Sequence, residues 1–467
     1  MLFSSISFIY VFLPLLFFFY FIMPFRWKNH VLLVASLIFY FTGEPIYIGI
    51  LVISSLSDYL HSLYIVKNRG KKSAKVALIS AITVNLGLLG FFKYADFFIN
   101  NINYLTGSEI PLLKIALPIG ISFYTFQTMS YTIDVYRNEV KAERNFPAFA
   151  TYVTLFPQLI AGPIVRYSTV AEELHTRKHS MEELAQGIRR FVIGLAKKVL
   201  IANSMGELCV AFQNASEQSM LFYWIYALAF SLQIYFDFSG YSDMAIGMGR
   251  MLGFHFLENF NYPYISKSIT EFWRRWHMSL GTWFRDYVYI PLGGNRVSFG
   301  KWIRNIFIVW ILTGFWHGAE WNFILWGAFF GVLLILEKAF LNKFLDKLPG
   351  AICRFYTLFI VVISFVIFNA NGLEGAITDL KGMFGGLEIP LWNGEALYYL
   401  RDYAGLIIIA MVGATPLGKM AYDRLSTVKK GAIPLAFMEV LTIVVLLLGA
   451  SAYLIDGSFN PFLYFRF

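Results

Sequence analysis

Thr313-Gly314-Phe315-Trp316-His317-Gly318 decides how this chain is read. The six residues join two apolar runs, Ile303–Phe315 and Trp321–Leu336, which are nearly uncharged apart from Arg304 and Glu320. The pattern reads as a segment, Asn305–Leu336, that re-enters the membrane with the imidazole of His317 near its turn. A titratable ring at that depth loses hydration unless a partner or a water-filled cavity compensates. Function is therefore the default reading of His317. The plainer alternative is a histidine hydrogen-bonded between helices.

Composition extends this reading to the whole chain. Of 467 residues, 58% are hydrophobic and 14% charged, with 48 Phe, 28 Tyr and 11 Trp. Soluble domains carry roughly a quarter charged residues. Apolar stretches recur from end to end, which predicts an all-α polytopic membrane protein with about 11 to 13 transmembrane or re-entrant helices. No soluble-looking block interrupts them, so residues 1–467 are expected to form a single membrane domain. The net charge of +9 sits in short basic runs beside apolar spans, which marks cytoplasmic membrane loops and not nucleic-acid binding. Cys209 and Cys353 lie in apolar surroundings without a disulfide or metal pattern and read as packing residues.

Lysines and arginines give a topology. Phe3–Met23 has no preceding positive charge and no small-residue cleavage site, so it reads as a retained helix ending inside at Arg26 and Lys28. The loop 67–75, with Lys67, Arg69, Lys71, Lys72 and Lys75 and no acid, is the strongest inside marker. Val76–Phe92 then leaves and Leu112–Val135 returns. Phe146–Val165, broken by Pro157 and Gly162-Pro163, reads as re-entrant or kinked. Residues 166–190 read as a cytoplasmic amphipathic segment. Phe191–Phe212 and Met220–Phe236 form the next hairpin. From Asp237 to Lys301 charges and aromatics interleave, as in Phe272-Trp273-Arg274-Arg275-Trp276-His277, which fits a half-buried layer at the inner face. Glu337, Lys338 and Lys343 mark a return to the inside. Residues 369–402 are expected as an extracellular loop, and 454–467 as an extracellular aromatic tail.

Several motifs carry competing readings. If His277 and His317 face one cavity, they supply a base for a hydroxyl proton and a group that polarises an acyl carbonyl. His277 is otherwise a structural ring among tryptophans. His175 and His179 are spaced for one helix face, but Arg177 and Lys178 lie between them and no third metal ligand is evident, so a solvated inner-surface helix is the better reading. Asp237-Phe238-Ser239-Gly240-Tyr241-Ser242-Asp243 lacks a nucleophile elbow and reads as helix capping with a polar cavity lining. Gly247, Gly249 and Gly253 read as close helix packing. The ending Phe462-Leu463-Tyr464-Phe465-Arg466-Phe467 is either an interfacial anchor or a tail folded into an outer cavity.

Taken together, Ala161-Gly162-Pro163-Ile164-Val165-Arg166, Tyr235–Asp243, Phe272–Leu280, Ile290-Pro291-Leu292-Gly293-Gly294-Asn295 and Thr313–Gly318 resemble the membrane-bound O-acyltransferase family. The similarity is to the branch that O-acetylates alginate and D-alanylates teichoic acid. The resemblance covers nearly the whole chain and implies His317 as catalytic histidine with His277 in support. It implies an acyl group taken from a cytoplasmic thioester and delivered to an acceptor reached from the outer face, through a tunnel across a thinned core. Trp273, Arg275, Trp276, Trp316, Asp237, Ser239, Asp243 and Asn322 become the expected tunnel or substrate-binding residues. The tail matches an F-x-Y-x-x-F ending that implies Tyr464 as an acyl relay.

The expected donor is acetyl-CoA, with no metal, and the final acceptor a cell-surface polysaccharide served by an extracellular O-acetyltransferase partner. The expected location is the bacterial plasma membrane, with the C-terminus outside. D-alanyl transfer from a carrier protein is the alternative enzyme, and a transporter or channel the alternative of another class. The lack of an internal repeat weighs against transport.

Overall fold

The computed structural model describes residues 1–426, 432–457 and 463. Most of the described residues are helical, and none of them lies in a strand. Seven of the helices among them are long and apolar enough to cross a membrane, and the protein is a multi-pass membrane protein.

The chain forms two compact units. The first comprises Met1–Phe191 with Ser242–Leu257. Its main helices are α1 (Leu13–Ile22), α2 (Phe25–Phe41), α3 (Ile48–Lys67), α4 (Lys72–Leu89), α5 (Ala95–Thr106), α6 (Ile121–Arg137), α7 (Phe146–Thr154) and α8 (Met181–Ala196). α4 and α5 run on through a π-helical turn as one 35-residue helix, well past the end expected at Phe92. The returning helix starts late, at Ile121, because Pro111 and Pro118 keep the approach non-helical. Gly120 makes the bend: its φ is +78°, and a Cβ there would lie 2.4 Å from the Leu159 carbonyl oxygen. Phe146–Val165 is a kinked, buried segment interrupted at Leu155. Only α8 forms the amphipathic helix expected across 166–190; the rest consists of short helical turns.

The second unit comprises Val192–Tyr241 with Glu258–Phe467. Its main helices are α9 (Asn203–Gln213), α10 (Met220–Met251), α11 (Ile269–Arg275), α12 (Met278–Phe284), α13 (Phe299–His317), α14 (Trp321–Leu336), α15 (Gly350–Asn369), α16 (Gly372–Met383), α17 (Gly394–Gly413) and α18 (Ala432–Ile455). The residues up to Tyr241 of α10 belong here and the remainder to the first unit. The sequence ends this span at Phe236 and reads Asp237 and Asp243 as caps. That reading is corrected: α10 continues through both. Asp237 is paired with Lys198 at 2.5 Å and Asp243 with Arg190 at 2.9 Å, so each carboxylate is neutralised inside the helix's surroundings. Residues 369–402 are likewise not an open loop, since α16 and the start of α17 occupy much of the stretch.

α13 and α14 form the tightest hairpin. In lipid, helices gain little hydrophobic energy from touching, so association depends on close packing over small residues. A Cβ on Gly314 would fall 2.2 Å from the Phe323 carbonyl oxygen, and one on Gly327 would fall 2.3 Å from that of Trp310. The two backbones therefore touch, and no side chain can yield to admit a larger residue. Gly247 and Gly187 make a similar approach in the first unit, as expected of close helix packing.

Gly327→Val is expected to destabilise the purified protein by about 1–3 kcal/mol or more, because backbone must move. Gly300→Ala, at the start of α13 with nothing within 4 Å of its added Cβ, is the neutral control. Thermal unfolding in detergent measures both.

Candidate active site

Three short pieces of the second unit build the site. α11 has only seven residues and needs outside help to begin. Buried Glu337 supplies it, accepting the Ile269 N–H at 2.6 Å, the Thr270 N–H at 2.8 Å and the Thr270 hydroxyl at 2.7 Å. The Ser268 hydroxyl accepts the Glu271 N–H at 3.0 Å. A carboxylate at a helix start satisfies orphan donors and complements the helix dipole. α11 thereby presents Trp273 and Trp276. Trp276 stacks on Phe272 at 5.5 Å, and Trp273 meets Trp310 and Phe330 at 4.8 Å each.

His277 links α11 to α12 with φ 45° and ψ 53°, a left-handed conformation that costs a histidine of order 1–2 kcal/mol. Asn259 holds it there. The Asn259 carbonyl oxygen Oδ1 accepts from the Ser279 N–H at 3.2 Å and the Ser279 hydroxyl at 2.9 Å, and lies 3.1 Å from His277 Nδ1. The backbone oxygen of Asn259 accepts the Met278 N–H at 2.9 Å. Because a backbone N–H only donates, the side-chain atom of Asn259 that faces His277 is its oxygen. Nδ1 therefore carries the ring proton, and Nε2 presents a lone pair. Burial first, and then the charge of His317, hold the His277 pKa well below the ordinary imidazole range. The ring is neutral at working pH.

His317 is the last residue of α13 and is buried, as is His277. Trp316 joins the two rings, with centroids 6.0 Å from His277 and 5.0 Å from His317. Phe238 meets His277 edge-on at 4.6 Å, and Trp326 and Phe368 meet His317 edge-on at 5.3 and 5.2 Å. The turn after His317 is tight: a Cβ on Gly318 would fall 2.2 Å from the Phe323 ring. The indole Nε1 atoms of Trp273 and Trp326 make no hydrogen bond, which leaves two buried donors in this aromatic cluster.

A cavity of about 780 Å³ opens beside it, lined by Trp273, Trp276 and His277 together with the cations Arg274, Arg285 and Lys338. Its wall reaches Thr313, one helical turn before His317. Lys338 sits over the Trp302 ring at 4.6 Å. A basic, aromatic cavity of this kind accommodates a phosphorylated ligand.

The structure thus brings His277, His317, Trp273, Trp276 and Trp316 into one cluster. The other expected residues go elsewhere. Arg275 is not on the cavity wall: the i,i+4 carboxylate of Glu271 takes its guanidinium at 2.9 Å, and Arg274 lines the cavity instead. Asn322 is fully buried and donates to the Phe368 and Ala370 carbonyls at 3.4 and 3.2 Å, so it holds the end of α15. Ser239 is buried with its hydroxyl unbonded. Asp237 forms an ion pair with Lys198, and Asp243 pairs with Arg190 in the first unit. Tyr464 lies outside the described residues.

Among the described residues no group of three or more His, Cys, Asp or Glu could hold a metal. His175 and His179 do not share a helix. His175 Nε2 lies 2.7 Å from Glu143, while His179 Nε2 lies 3.3 Å from the Tyr20 hydroxyl. Both cysteines are free and buried.

Sequence reasoning missed Asn259 and Glu337, and it placed Arg274 and Arg285 in the aromatic–basic layer without singling them out as site residues. An asparagine eighteen positions before its histidine gives no local signal. Glu337 looked like a charge ending a span, and nothing near it in the chain announces the helix it caps.

Comparison with known proteins fits this geometry. Residues 135–375 match the membrane-bound O-acyltransferase family. The probable alginate O-acetylase of Azotobacter vinelandii is 39% identical over 509 aligned positions, covering all of both chains. That of Pseudomonas putida is 40% identical over 494, again covering all of both. The peptidoglycan O-acetyltransferase of Helicobacter pylori is 36% identical over 459, covering 90% of this chain and 87% of its own. The chain belongs to the membrane-bound O-acyltransferase family, and the protein is an O-acyltransferase.

A buried ring kept neutral in the fold but free to protonate when unfolded makes stability depend on pH. The unfolded chain binds the extra proton, so the His277 contribution is present above about pH 6.5 and lost progressively below it. Denaturation midpoints measured from pH 8 to pH 5 are expected to fall on the acid side, with a shallower fall in His277→Gln. Asn259→Leu is expected to lower turnover on the order of tenfold or more, about 1.4 kcal/mol, by releasing the His277 ring.

Proposed function

We propose that this protein moves an acetyl group from cytoplasmic acetyl-CoA to the outer face of a bacterial plasma membrane, for O-acetylation of a cell-surface polysaccharide. The observation that carries this reading is the joining of His277 and His317 through Trp316, beside a cavity lined by three cations and a wall of tryptophans. The likeness along the full chain to two alginate O-acetylases, and along most of it to a peptidoglycan O-acetyltransferase, supports acetyl as the acyl group and a polysaccharide as final acceptor.

In this reading Arg274, Arg285 and Lys338 receive the phosphates of the donor, and the thioester extends past Trp273 toward His317 through a tunnel in a thinned core. His317 Nε2 is the base. It takes the phenolic proton of Tyr464 as the phenol oxygen attacks the thioester carbonyl. The C–S bond breaks, and the departing thiolate recovers the proton from the imidazolium. A hydroxyl of an extracellular transferase or of the polysaccharide then attacks the tyrosyl ester, whose C–O bond breaks to restore the phenol. The C-terminus is outside in this scheme, and the outer transferase is a separate protein.

The tautomer refines the part played by His277. Its proton is committed to Asn259, so the neutral ring accepts a hydrogen bond and cannot polarise a carbonyl by donating one. The unpartnered indole N–H groups of Trp273 and Trp326 are the donors suited to a developing oxyanion.

His317→Ala is expected to abolish transfer from labelled acetyl-CoA while the protein stays folded, and His277→Ala to impair it less. Turnover like wild type in His317→Ala overturns the assignment, and transport of a solute that survives it favours a channel. Activity only with a D-alanyl carrier protein would replace acetyl transfer by D-alanylation. Intact-mass spectrometry after incubation with labelled acetyl-CoA is expected to find one acetyl group on the tail, absent in Tyr464→Phe. Equal delivery to the outer acceptor by that variant removes the relay.

A further inference from the structure

We propose that the buried pair Lys198–Asp237 is a latch for the C-terminal tail, and that both residues position Tyr464; the part given to Tyr464 rests on the function proposed above. Asp237 lies in the middle of α10 and is 1% exposed, and Lys198 is 3% exposed. One carboxylate oxygen sits 2.5 Å from Lys198 Nζ. The other accepts the backbone N–H of Leu463 at 3.1 Å. A carboxylate bound to one lysine retains further lone pairs, and burial makes an unused one costly. The tail supplies a donor to one of them. Because that donor is main chain, the latch reads a position along the tail and is indifferent to the side chain there.

Local structure brings the partners together. Lys198 lies in the π-helical turn Lys197–Ala202, where an extra residue widens the helix and re-aims its side chains. One turn beyond Asp237, Gly240 lets the two segments touch: a Cβ there would lie 2.7 Å from the Gly194 carbonyl oxygen and 3.1 Å from the Lys198 nitrogen. The Leu463 side chain is 7% exposed and belongs to the core that contains Tyr235, Phe236 and Trp276. Upstream, the Tyr453 hydroxyl donates to Glu207 at 2.5 Å and fixes the end of α18. The tail is therefore held before and at Leu463. Tyr464 is the next residue in the chain. The latch also adjoins the site, because Phe238, the next residue after Asp237, is the ring that meets His277.

Hydrogen–deuterium exchange of the full-length protein in lipid nanodiscs tests this at the Leu463 amide, read from overlapping C-terminal peptides. Lys198→Met is expected to speed exchange there at least tenfold while α10 keeps its protection, and Lys198→Arg to restore it. In the same Lys198→Met protein, acetyl label on the tail is expected to fall in step, while His317-dependent hydrolysis of acetyl-CoA persists. Unchanged protection at Leu463, or equal loss throughout residues 220–241, overturns the latch. Should Lys198→Met fail to accumulate, Asp237→Asn keeps the shape without the charge, and several-fold faster exchange at Leu463 is required of it. A wild-type tail that never carries label sinks the relay alone, and the exchange rates still decide the latch.

Discussion

The contact between backbones at Gly314 and Gly327 is the constraint on which the site depends. Lipid offers helices no hydrophobic reason to associate, so the hairpin is held by dispersion over surfaces stripped of side chains. That approach ends at the turn after His317, where Phe323 fills the space a side chain on Gly318 would need. The His317 ring is thereby carried on a joint of the second unit where backbone meets backbone. A site built on packed helices holds its geometry better than one built on loops.

The charges buried nearby follow one rule. Glu337 gives its oxygens to the start of α11, and Asp237 gives its oxygens to a lysine and a main-chain amide. Neither is left to water, and each fixes an element that has little else to fix it. Losing one partner of such a group costs about 3–5 kcal/mol, more than most single contacts contribute. These acids are therefore joints of the fold, although in the sequence they look like interruptions of apolar spans.

That difference explains what the sequence could and could not tell. The hairpin around His317 was legible because two nearly uncharged runs flank a short Gly-containing turn. The aromatic–basic stretch 272–277 was legible as a half-buried layer from its interleaved charges and aromatics. Reading Asp237 as the end of a span failed because its neutralising partner, Lys198, stands 39 positions earlier in the chain. The sequence could not tell which of the adjacent arginines faces the cavity, because Glu271, one helical turn away, takes Arg275. Asn259 was invisible, since a hydrogen bond that sets a tautomer leaves no periodicity. The two histidines stood out by residue type and setting, and Trp273, Trp276 and Trp316 by the family resemblance, whereas the groups that orient them gave no such signal.

The hydrogen bond that His277 donates to Asn259 also fixes which ring nitrogen carries the proton. With that proton committed on one side, the other ring nitrogen offers a lone pair and no hydrogen. Under the proposed mechanism, any hydrogen handed onward therefore leaves by way of His317.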